Sequence, residues 1–142
     1  MAAANTTLMD TRYKTIVRTV VSGTNTNEVI LNTATSGTGG GVLVGKQTGM
    51  TPVLNIAKIF WSTAGGNITL SFLGTGAHTG IEVAPTGAGQ YGYQPGQPAL
   101  PNATTGGATQ GNVGFTNATA ATGTLVIEYH KIPDSNGRGW GG

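Results

Sequence analysis

The stretch Ile56–Phe72, IAKIFWSTAGGNITLSF, decides the fold of this chain of 142 residues. Its second half alternates Ile68, Leu70 and Phe72 with polar residues, which is typical of a strand with one buried face. The region before the turn has apolar residues on both parities. Leu54, Ile56 and Phe60 share one parity, on which Lys58 is the exception, and Ile59 and Trp61 share the other.

The sequence AGGN at Ala64–Asn67 separates these two halves. Glycine and asparagine tolerate the positive φ angles that a tight connection between antiparallel strands needs. The stretch therefore predicts a β-hairpin from about Val53 to Leu73. Trp61 is its largest side chain, and we expect substantial burial of that ring at the centre of an all-β core.

Two further stretches predict strong strands, Arg12–Val21 and Gly123–Lys131. In the second, Leu125, Ile127 and Tyr129 share one parity, which we expect to face the core. In the first stretch, one parity is expected to face the core: Tyr13, Thr15, Val17, Thr19 and Val21. The opposite parity carries the three cations Arg12, Lys14 and Arg18.

Shorter apolar runs separated by glycine and proline complete an all-β pattern, and no segment shows a helical period. We predict one β-sandwich, or a small jelly-roll-like barrel, over residues 10–133, with long Gly/Pro-rich loops. An extended arm is expected at residues 1–9 and a tail at residues 134–142. Both ends are expected to be dispensable for folding and to contact a partner.

Composition limits the functions that this chain can have. Cysteine is absent, which excludes disulfides, thiolate metal sites and a cysteine nucleophile. Charged residues make up 8%, against a typical ~25%. So few charges favour a subunit whose surface is covered by neighbours, and a Gly/Thr-rich secreted domain is the alternative. A net charge of +2 is too small to indicate nucleic acid, and neither a membrane span nor a secretory signal is expected.

Motifs for catalysis or cofactor binding are incomplete. Gly40–Lys46 resembles a phosphate-binding loop, but Gln47 replaces the required Ser or Thr and no helix is expected to follow. Gly87–Gly92 fits G-x-G-x-x-G, outside any βαβ unit. His78 and His130 lack the spacing of metal ligands or of a catalytic set. We therefore predict no enzyme activity, no cofactor and no metal.

Several residues are candidates for contact with a partner. Tyr91 and Tyr93 lie in the long loop Pro85–Ala108, where they would either anchor a ligand or fix the loop to its own domain. The strand cations would meet an acidic surface or, alternatively, prevent edge pairing. The remaining candidates are anchors in the arm and tail. The full set is Leu8, Met9, Arg12, Lys14, Arg18, Tyr91, Tyr93 and Trp140.

Three stretches resemble small structural proteins of tailed bacteriophages, most closely the head decoration (cement) proteins: TRYKTIVRTVVSGT, LNIAKIFWSTAGGNITLSFLGTG and TGTLVIEYHKIPDSNG. The resemblance implies a β-rich homo-oligomer, often a trimer, made in the host cytoplasm. It would bind the major capsid protein or other virion proteins on the capsid surface and brace the shell. The alternatives are another virion position (tail, collar or baseplate) or a carbohydrate- or receptor-binding domain that stacks sugars on Tyr91, Tyr93 and Trp140.

Overall fold

The computed structural model describes residues 4–31, 44, 53–73, 78–100, 112–117 and 119–132. These residues form nine β-strands and no helix. The strands are β1 Ala4–Asp10, β2 Lys14–Val21, β3 Asn25–Leu31, β4 Val53–Gly65, β5 Thr69–Leu73, β6 His78–Val83, β7 Ala88–Tyr91, β8 Asn112–Asn117 and β9 Ala121–Ile132.

The strands form two open antiparallel sheets. One has five strands in the order β1-β2-β9-β4-β7, and the other has four in the order β3-β8-β5-β6. Buried residues of both sheets form one apolar core, so the molecule is a β-sandwich, as predicted. The barrel alternative does not apply to the described strands, because each sheet ends in edge strands.

Strands β2 and β9 follow the predicted alternation. On β2 the four residues Thr15, Val17, Thr19 and Val21 are buried, and on β9 Leu125, Ile127 and Tyr129 are buried. The two strands pair directly, with Val17 opposite Ile127, so their buried faces are continuous. Tyr13 is the exception: it precedes β2 and is 68% exposed.

The predicted hairpin does not form, because β4 and β5 lie in different sheets. The glycine-rich link crosses from one layer of the sandwich to the other. A second link, from β8 to β9, crosses beside it, and Gly66 N–H donates to Ala120 O at 2.9 Å. A Cβ on Gly66 would lie 2.3 Å from Thr119 O, so glycine is required by close backbone approach.

A β-bulge explains why the first half of the deciding stretch is apolar on both parities. In the pairing of β4 with β9, Ile56 opposes Tyr129 and Lys58 opposes Glu128, so Ala57 is the extra residue. The inward parity changes at the bulge, from Leu54 and Ile56 to Ile59 and Trp61.

The bulge also places the two neighbouring aromatic side chains on opposite faces. Phe60 points outward and is 44% exposed. Trp61 is only half-buried, at the rim of the core, where its Nε1–H donates to Thr86 O at 3.1 Å. The substantial burial expected for Trp61 at the centre of the core is therefore not found.

The N-terminal segment and the long loop also differ from expectation. The described part of the expected arm, residues 4–9, belongs to edge strand β1, which pairs with β2. The loop expected from Pro85 contains β7, which pairs with β4, and Leu100 forms a bridge with Ile56. The tail at 134–142, with Trp140, lies outside the described residues, as do residues 1–3 and 101–111.

Candidate interaction face

The outward side of the five-stranded sheet carries side chains that a solvated surface would not favour. Because Val17, Ile127 and Ile59 face the core, the residues that follow or precede them face outward. Register places Thr6, Arg18, Val126, Phe60 and Gln90 in one row across all five strands. Side chains directly opposite one another in such a row lie ~5 Å apart at Cβ, so the row is a continuous surface.

Large apolar side chains occupy this surface on four adjacent strands. Phe60 is 44% exposed, and Val20 and Met9 are each 43% exposed. Ile16 and Val126 lie between them and are half-buried. We call this surface the outer face and define it by its apolar and cationic members: Met9, Lys14, Ile16, Arg18, Val20, Lys58, Phe60 and Val126.

The charges of the outer face are mainly positive. Lys14, Arg18 and Lys58 are its cations, and Glu128 is the carboxylate among the described outward residues of the same sheet. The Glu128 carboxylate contacts His130 Nε2 at 3.0 Å. Arg18 has no ion pair with any described residue, and Lys58 Nζ lies 5.3 Å from the ring centroid of Tyr93. The face therefore presents three cations interspersed with apolar side chains, and its carboxylate Glu128 lies between Ile16 and Lys58 in the register.

The structure separates the three cations that the sequence placed on one strand face. Lys14 and Arg18 lie on the outer face, but Arg12 lies in the turn before β2. Its guanidinium carbon is 5.0 Å from the ring centroid of Tyr13. Leu8 is exposed at a bulge of β1, beside Met9.

Tyr91 and Tyr93 have different roles in the structure. The Tyr91 hydroxyl donates to Pro98 O at 2.8 Å, and its ring packs against the core. Tyr91 therefore fixes the loop to its own domain, which was one of the two readings of the sequence. Tyr93 is exposed and extends the aromatic surface beside Lys58 at the margin of the outer face.

A buried ion pair at one end of the sandwich was missed in the sequence. Lys131 Nζ donates to Asp10 Oδ1 at 2.5 Å and to Val44 O at 2.7 Å, and Thr11 O accepts a third bond. The Asp10 carboxylate also accepts from Val44 N–H at 2.9 Å. The available signal was parity: Lys131 continues the buried face of Leu125, Ile127 and Tyr129, where a cation needs a partner.

The rejected glycine motif has a packing role. Gly89 lies on β7 opposite Trp61, and a Cβ there would approach the Trp61 ring to 2.6 Å. Gly92 has a φ of 89° and passes close to Ala57 O.

Of the other motif, Gly40–Lys46, only Val44 is among the described residues. No group of three or more His, Cys, Asp or Glu in the described part of the chain could hold a metal ion.

Comparison of the chain with protein-family models, with curated proteins and with solved structures gives no match. Within the described ranges no helix is long and apolar enough to cross a membrane.

Proposed function

We propose that this protein is a structural component of a tailed-bacteriophage virion that decorates and stabilises the assembled head. The observation that supports this proposal is the exposed apolar surface around Phe60, Val20 and Met9 on a sheet of the sandwich. Contiguous exposed apolar side chains mark a surface that a partner covers. The resemblance of three stretches to decoration proteins supplies the class of partner.

The proposed mechanism is thermodynamic and needs no catalytic group. A protein that binds the assembled shell but not its separated subunits stabilises the shell by mass action. Five strands spaced ~4.8 Å apart make a face roughly 20 Å wide. Over the eight residues of β2, at about 3.3 Å per residue, the face covers roughly 500 Å², which is smaller than the ~800 Å² per partner of a stable interface. We therefore infer that loops or sister subunits add contacts around the outer face.

A position in the tail, collar or baseplate would use the same face and remains the alternative within the virion. The carbohydrate-binding reading has less support, because Tyr91 is engaged by Pro98 and packs on the core. A sugar platform made of Tyr91 and Tyr93 would require the first ring to leave that position.

Co-sedimentation with heads tests the proposal. Heads of the phage that encodes the chain, prepared without this protein, are mixed with wild-type protein, with Phe60→Ser and with Tyr13→Ser. Both substitutions remove one exposed aromatic ring, but only Phe60 lies on the outer face. We expect saturable binding of the wild type and of Tyr13→Ser, and binding at least about tenfold weaker for Phe60→Ser, as for an interface anchor. Absence of wild-type binding would contradict the head position.

A further inference from the structure

The arrangement of charges on the outer face restricts what can cover it. In a symmetric pair of copies each surface meets itself. The patch with Lys14, Arg18 and Lys58 would then meet the same patch of the other copy, so that three cations and one described carboxylate from each side share the interface. Like charges brought together in an interface oppose association, and more so when water is excluded.

The apolar side chains of the outer face also limit the class of partner that can bind it. Nucleic-acid sites are strongly basic and contact many phosphates, whereas this face has three cations in the described part, with apolar side chains between them. A protein surface with an apolar patch bordered by carboxylates matches both features. Arg18 is suited to pair with such a carboxylate, because the apolar side chains around it, Val126 opposite and Ile16 and Val20 on its own strand, would shield the contact from water.

We propose that the outer face docks onto an acidic surface of a different protein, and that contacts between sister copies use another surface of the chain. The inference rests on the proposed function, in which the different protein is a shell protein. Phe60 and Val20 would supply the apolar contact, and Arg18 and Lys58 would pair with carboxylates of the partner. The Lys58 ammonium, held near Tyr93, lies at the margin of the contact.

A matched pair of charge variants tests the inference. Arg18→Gln and Arg12→Gln each remove one exposed arginine cation, so the net charge of the two proteins is the same. Arg12 lies off the outer face, over Tyr13. Binding of each protein to heads that lack it is measured over a series of salt concentrations. Sedimentation velocity gives the oligomeric state of each free protein.

We expect Arg18→Gln to weaken head binding about tenfold or more at low salt and to reduce its salt dependence, because a pair at the interface is lost. Arg12→Gln should stay within about twofold of wild type, and both variants should keep the wild-type oligomeric state. Equal effects of the two variants, or binding insensitive to salt, would overturn the inference while leaving the head position intact.

Other outcomes identify a different occupant. A change in oligomeric state of free Arg18→Gln alone would show that the outer face meets a second copy. Saturable binding of wild-type protein to vesicles containing phosphatidylserine, or to duplex DNA, that is lost in Arg18→Gln would show a lipid or nucleic-acid partner. Each of these results contradicts a protein partner of acidic character. Failure of the wild type to bind heads at all would overturn both the function and this inference.

Discussion

Tyr129 is the largest fully buried side chain of the core, and its hydroxyl has no hydrogen-bond partner in the described structure. A buried hydroxyl without a partner loses its bonds to water and costs about 1–3 kcal/mol. We therefore predict that Tyr129→Phe raises the free energy of unfolding by about 1 kcal/mol. Urea unfolding measures this change, and a loss of more than about 1 kcal/mol would show that the hydroxyl is satisfied.

The same side chain makes stability depend on alkaline pH. Burial raises the pKa of Tyr129 far above its ordinary value of 10.0. At a pH above 10.0 the tyrosine of the unfolded chain releases a proton that the folded chain keeps, so the free energy of unfolding falls by about 1.4 kcal/mol per pH unit. At a pH below 10.0 the contribution of Tyr129 to stability does not change with pH. Unfolding measured at several pH values should show a smaller alkaline loss for Tyr129→Phe than for wild type, and equal losses would contradict the burial.

The Asp10–Lys131 pair gives a second prediction at the scale of residues. The Lys131 side chain is fully buried, so removal of its counterion leaves a buried charge. Asp10→Ala should cost about 3–5 kcal/mol, whereas Lys131→Met, which fills the same volume without a charge, should cost less. Thermal or urea unfolding of the two variants checks the order. A larger loss for Lys131→Met would mean that the carbonyl bonds, rather than the charge pair, stabilise this end of the sandwich.

At the scale of elements, strand β1 has a structural role that the sequence did not indicate. It covers the edge of β2, where Thr19 Oγ1 donates to Asn5 Oδ1 at 2.8 Å and Thr15 Oγ1 donates to Met9 O at 3.1 Å. Deletion of residues 1–9 removes both acceptors. We therefore predict a loss of about 1–3 kcal/mol in the free energy of unfolding, a structural contribution that the arm interpretation did not include.

The control for this deletion keeps the strand and removes its exposed side chains. Leu8→Ala combined with Met9→Ala should unfold close to wild type, because both side chains are exposed. The deletion also retains Asp10, so the ion pair with Lys131 stays available. Equal stability of the deletion and wild type in urea would contradict a structural role for β1.

The elements that could be predicted from the sequence are those in which local pattern and tertiary structure agree. The alternation of Val17 with Arg18, and of Ile127 with Glu128, follows directly from burial of one strand face. The connection at Gly65 and Gly66 could not be assigned, because a hairpin and a crossing between sheets need the same residues. The short polar stretch Ala4–Asp10 has little β propensity, and pairing with β2 gives it its conformation.

The candidate site was predictable only in part. The positions of Lys14 and Arg18 followed from parity, but the exposure of Phe60 depends on the bulge at Ala57, which shifts the parity of β4. A bulge is set by the partner strand, so a single strand's pattern does not locate it. Distant pairings such as Asp10 with Lys131 likewise depend on topology rather than on local sequence.

At the scale of the whole molecule, the sandwich combines a largely apolar core with a surface poor in charge. Only 8% of residues are charged, and the exposed apolar side chains Phe60 and Val20 lie among cations on one sheet. Such a surface stays soluble less readily than a highly charged one and gains more when a partner covers it. We infer that the protein functions within an assembly in which the outer face is covered.

An image of the decorated head at a resolution that separates the two sheets tests this account most directly. We predict that the five-stranded sheet faces the shell, with Phe60 and Arg18 at the contact and carboxylates of the shell protein opposite Arg18. The four-stranded sheet, β3-β8-β5-β6, would point away from that contact. A particle in which the outer face is open to solvent, and another surface of the chain meets the shell, would contradict the account.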